Sequence, residues 1–147
     1  MPKRYSFWLW VAIVLQLLDA TLHSLSLIRT PVATNATEQQ LFDLMIKYRL
    51  DLGAGIHRSM WDLFRALSSC LTLLCLLGGL TNIYLLRKRV DAGIIRGLVG
   101  IQLVIFAIGF AVMVALTFLP PIILTGLVVL FLAIAYFTTP RTSIVSS

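Results

Sequence analysis

The sequence predicts an all-α fold, a bundle of four transmembrane helices with a short amphipathic helix in the first outer loop. Three observations predict it. The 147 residues are 59% hydrophobic and 12% charged, with a mean hydropathy of +0.96, a balance that suits a bilayer and not water. Four apolar stretches, about 7–28, 59–86, 96–118 and 121–138, approach or exceed the roughly 20 helical residues that a hydrocarbon core requires. Between the first two lies a polar loop whose apolar residues recur at helical spacing.

Span 1 follows Lys3 and Arg4 and is long, with no small-x-small cleavage site after it, so it is expected to remain as a signal anchor. It stops at Arg29-Thr-Pro31. In the loop, Thr37-Glu-Gln-Gln40 has capping-box spacing and leads into a helix over about 38–50, whose Leu41, Met45, Tyr48 and Leu52 share a face. Asn35-Ala-Thr37 matches a glycosylation sequon, which carries meaning only in a eukaryotic secretory pathway. Gly53-Ala-Gly55 breaks the loop helix before span 2 begins at His57 or Ser59. Gly93-x-x-x-Gly97, Gly100 and Gly109 give span 3 a face that a neighbouring backbone can approach, and Pro120-Pro121 turns it tightly into span 4. The whole chain is one membrane domain.

A net charge of +6 raises nucleic acid as a partner, but topology accounts for the basic residues better. Lys3, Arg4, Arg87, Lys88, Arg89, Arg96 and Arg141 all fall on one side of four crossings. The other side dilutes Arg29, Lys47, Arg49 and Arg58 with Glu38, Asp43 and Asp51. Both termini are therefore expected in the cytoplasm, with the protein in the inner (plasma) membrane and no nucleic-acid partner.

The chemistry-bearing residues inside the spans form two stripes. In span 1, Gln16, Asp19, His23 and Ser26 are spaced three, four and three apart, which places them on one helical face. In span 2, Arg58, Asp62, Arg65, Ser69 and Thr72 repeat the pattern. An ionisable group in a span costs on the order of 3 kcal/mol, so such groups are expected to face the bundle and pair. Asp62 is expected to meet Arg58 and Arg65, with Asp19 and His23 reaching across to Arg65. Asp19, His23, Asp62, Arg65, Ser69 and the interfacial Trp61 thus make a candidate polar seam. It either locks helix 1 to helix 2 or heads a pocket in which His23 exchanges a proton and Arg65 holds an anion.

Known catalytic patterns are missing. The sequence has no Cys-x-x-Cys, no HExxH and no phosphate-binding glycine loop, and two histidines leave little for a metal site. Cys70 and Cys75 lie five apart on one helix, so their side chains diverge. No cofactor or metal is expected.

His23 late in the first helix, a loop holding a short helix, and Ser59, Trp61, Asp62 and Phe64 at the start of the second together resemble a family of small, uncharacterised bacterial membrane proteins with four helices. The resemblance covers about the first 85 residues. It departs at Leu63 and Ala66-Leu67, where the family pattern carries an aromatic residue and a Gly-Phe pair. It implies fold and membrane location and no activity. The function expected is a non-enzymatic membrane protein that binds a lipid or other small amphipathic ligand, or a membrane protein partner or second copy. The alternative is a small membrane enzyme or proton-coupled carrier that uses the seam.

Overall fold

The computed structural model describes residues 4–29 and 32–140. The basic residues Lys3 and Arg141, the helix stop at Thr30-Pro31 and the polar tail lie outside the described residues. The elements run α1 (Arg4–Ile28), α2 (Ala36–Lys47), β1 (Arg49–Asp51), β2 (His57–Ser59), α3 (Met60–Arg87), α4 (Ala92–Leu116) and α5 (Leu119–Thr138). Four of the five helices, α1, α3, α4 and α5, are long and apolar enough to cross a membrane.

The ends of these helices follow local chemistry. Helix α2 starts about two residues before the expected 38, because Asn35 caps it by accepting from the Glu38 amide at 2.9 Å. Glu38 reaches back and accepts from the backbone and hydroxyl of Thr34, both at 2.7 Å. The cap is thus built on Asn35 and Glu38, with the Glu38 carboxylate reaching Thr34, one residue before the cap, while Thr37 lies inside the helix. These bonds from Thr34 hold the Glu38 carboxyl below its usual range. A carboxylate depressed in the folded state gives stability that is complete above its unfolded pKa and drains away as pH falls through the folded value. The start of α2 is therefore expected to stay closed at neutral pH and to open only below the ordinary glutamate range. Amide exchange at Thr34 and Glu38 should accelerate there, and Glu38→Gln should remove the step.

Past α2 the chain forms a hairpin that the sequence reading lacks. Arg49 pairs with Ser59, Leu50 with Arg58 and Asp51 with His57, antiparallel. Gly53, Ala54 and Gly55 all have positive φ, and Asp51 accepts from the Gly53 amide at 2.9 Å. The Gly-Ala-Gly run is thus a hairpin turn and not the break that ends α2, which stops at Lys47 ahead of β1.

Helix α3 ends with Arg89 at φ 52°, the Val90 amide donating to Leu85 and the Arg89 amide to Leu86, which is a Schellman closure with arginine in the place glycine usually takes. Helix α4 begins at Ala92, four residues before the expected start, because Asp91 caps it through the Gly93 amide at 2.7 Å. Pro120 and Pro121 lie in the first turn of α5, where their missing N–H groups cost nothing, and the turn itself is Thr117-Phe118.

The chain divides into two compact units, one running to Asp19 and resuming at Cys75, the other Ala20–Leu74. In the first unit Leu9, Ile13, Ile95, Val99, Val128 and Leu132 form a fully buried apolar core. Trp8 of α1 stacks on Phe131 of α5 at 5.8 Å between centroids. Gly126 lets α5 approach α4, since a Cβ there would sit 3.0 Å from the Phe110 ring. The second unit holds α2 and the hairpin, with α2 carrying no buried residue.

Candidate functional site

Two polar constellations stand out, one in each unit. In the first, side chains from three helices close on one another. Asn82 of α3 donates to Gln102 of α4 at 2.8 Å and to Gln16 of α1 at 3.4 Å. Gln102 donates back to the Asn82 carbonyl at 3.2 Å, and Gln16 donates to Gln102 at 3.3 Å. Gln16 and Asn82 have no exposed surface. Each primary amide offers two N–H hydrogens and a carbonyl, so three of them can satisfy one another without any charge. Gly78 makes room for the cluster, because a Cβ there would lie 2.6 Å from the Gln16 nitrogen.

Sequence reasoning missed this triad. It placed Gln16 on the span 1 stripe and joined it to neither Asn82 nor Gln102. Periodicity within one helix says which residues share a face, but it does not say which faces meet. The available signal was the rarity of carboxamides in apolar helices, one each in spans 1 and 3 and Asn82 in span 2.

About one turn further along α1 than Gln16, Asp19 is 1% exposed and accepts from the Cys75 thiol of α3 at 3.5 Å. Asp19 and Cys75 thus meet within the first unit. At the other end of α3, the Arg87, Lys88 and Arg89 cluster leads into α4. One turn into α4, Arg96 donates through Nη1 to the carbonyls of Tyr136 and Thr139, at 2.9 and 2.6 Å, and lies 4.2 Å over the Tyr136 ring. A cation there satisfies carbonyls that the end of α5 leaves open and complements its dipole. Arg96 is therefore a helix residue fastening α4 to α5, whereas the sequence reading puts it in the loop.

In the second unit Asp62 has partners other than those expected. Its carboxylate accepts from the Ser59 amide at 3.0 Å, and the Ser59 hydroxyl accepts from the Asp62 amide at 3.1 Å. Ser59-Met-Trp-Asp62 is therefore a capping box that starts α3. The same carboxylate oxygen pairs with Arg49 of β1 at 2.6 Å, tying the hairpin to the helix. Among the described residues its ion-pair partner is Arg49 and not Arg58 or Arg65. The reason is position, since the third residue of a helix is where an acid reaches back to the cap.

The remaining seam candidates in this unit are placed as follows. Arg58 turns to the His57 carbonyl at 3.2 Å, and Arg65 is exposed, its own carbonyl accepting from the Ser69 hydroxyl at 2.8 Å. Trp61 stacks on Phe64 at 5.9 Å, and His23 is half-buried. Ser59 is 2% exposed, so Ser59→Ala, which orphans the Asp62 amide, is expected to cost about 1 kcal/mol. Thermal unfolding in detergent measures it, and Ser59→Thr should retain most of the stability.

Among the described residues no group of three or more His, Cys, Asp or Glu side chains could hold a metal ion. The fold and its buried amides fit the class of multi-pass helical membrane proteins. Beyond that class, comparison with protein-family models, curated proteins and solved structures gives no match.

Proposed function

We propose that this protein is a non-enzymatic component of a bacterial inner membrane, with both termini cytoplasmic, that binds a lipid or a partner helix against its apolar helices. The orientation rests on Lys3 and Arg4 around the start of α1 and on Arg87, Lys88 and Arg89 where α3 gives way to α4. One observation carries the reading of function. Of the four spans α4 is the least covered by protein, with 11% of its most apolar window buried against 39% for α1. Ile94, Gly97, Ile101, Val104 and Ile108 are exposed along it, a surface that only acyl chains or another helix can cover. The in-span amides meanwhile bond one another, Asp62 holds the start of α3 and Arg96 the end of α5, so each of these groups has a structural partner. Photo-crosslinking in native membranes tests the proposal. A lipid or protein adduct on α4 is expected, and the absence of both overturns it.

A second reading rests on Asp19, an acid buried in α1 beside the Cys75 thiol, and makes the protein a small membrane enzyme or proton-coupled carrier. It requires proton flux into liposomes carrying the wild-type chain and its loss in Asp19→Asn. A wild-type chain that moves no protons removes the carrier.

A further inference from the structure

On the surface shared by α4 and α5 lies an open groove of about 750 Å³. Gly93, Arg96, Gly97, Gly100, Ile101 and Tyr136 line it, and Val104 and Ile105 continue it along α4. We infer that this groove is a site for one anionic glycerophospholipid, with Arg96 holding the phosphate and the apolar run from Gly97 to Ile105 holding an acyl chain. The inference rests on the lipid-binding reading above and names its ligand and its place.

Three features support this occupant. The first is charge. Nη1 of Arg96 donates both bonds to the α5 carbonyls, which uses two of the five guanidinium N–H groups and leaves three for a further acceptor. Those two bonds and the Tyr136 ring also hold the guanidinium in place, so little ordering remains to be done on binding. Arg87, Lys88 and Arg89, just before α4, add positive charge at the same end of the helix.

The second is length. Gly93 to Ile105 spans about 18 Å at 1.5 Å per residue, close to the roughly 15 Å depth of one leaflet. The groove thus runs from headgroup level towards the midplane, with its cation at the polar end. The third is the floor. A Cβ on Gly97 would meet nothing within 4 Å, so that glycine opens space that the bundle leaves unfilled. At Gly100 a Cβ would lie 3.0 Å from the Tyr136 ring, so that glycine serves the closure of α4 on α5 instead.

Gly97→Leu puts a side chain into the groove from a position where an added Cβ meets nothing within 4 Å, and Gly109→Leu is its control, since a Cβ there also meets nothing and Gly109 does not line the groove. Each full-length protein is reconstituted into vesicles of equal parts phosphatidylglycerol and phosphatidylcholine, extracted in mild detergent and weighed by native mass spectrometry. The wild type and Gly109→Leu should retain phosphatidylglycerol over phosphatidylcholine by about tenfold, because both lipids offer a phosphate but only choline sets a second cation against Arg96 and the Arg87, Lys88 and Arg89 cluster. Gly97→Leu should retain neither, and Arg96→Gln should lose the preference. Retention by Gly97→Leu equal to wild type overturns the site while the lipid-binding reading stands. A wild type that retains no lipid overturns both. Equal retention of the two headgroups overturns the anionic specificity. If Gly97→Leu turns a dimer into a monomer with retention unchanged, a second copy fills the groove and the lipid site is wrong.

Discussion

Asn82→Leu is expected to destabilise the helix bundle by about 2 kcal/mol, read as a shift in unfolding on titration with a denaturing detergent. A single interhelical hydrogen bond in a membrane protein is worth only about 0.6 kcal/mol on average, because the separated helices find other partners. Asn82 differs in that its side chain makes three of the four bonds in the triad. Leucine there takes the donor from the Gln16 carbonyl and the acceptor from the Gln102 amide at once, leaving only the bond between the two glutamines, and orphaned buried polar groups cost more than the bond they lost. The triple variant Gln16→Leu, Asn82→Leu, Gln102→Leu removes every orphan and should be less destabilised than Asn82→Leu alone. Gly78→Ala should resemble Asn82→Leu in kind, because its methyl group displaces the Gln16 amide.

Arg96→Leu is expected to be the other large effect, about 3 kcal/mol, through loss of two charge-assisted bonds and the Tyr136 contact. The damage should be local before it is global. Hydrogen exchange should quicken first at the Thr138 and Thr139 amides in the last turn of α5, whereas Asn82→Leu should loosen α1, α3 and α4 together. Arg96→Lys keeps the charge but not the planar stack over the ring, so it should fall between wild type and leucine.

The helices were legible because a bilayer leaves few alternatives to long apolar runs, and the observed spans differ from the expected ones only at their ends. The ends turned on which of several cap candidates wins. Asn35 took the role that spacing assigned to Thr37, and Asp91 started α4 before Arg96. The hairpin was invisible because three-residue strands show no period. Asp62 illustrates the same competition at the candidate site. Ser59-x-x-Asp62 fits both a capping box and a polar stripe, and the box is the nearer partner, so it took the carboxylate. The amide triad lay beyond reach because it joins residues 66 and 86 positions apart, and only helix packing brings such residues together.

On the function proposed above, Asp62 fastens the hairpin to α3 while lipid binding belongs to the apolar surface. Mass spectrometry of the lipids that co-purify with the wild type, His23→Ala and Asp62→Asn from their native membrane tests it most directly. The same anionic phospholipid is expected in all three. A wild type that emerges bare, or a lipid or metabolite lost from both variants while the bundle stays folded, would contradict it.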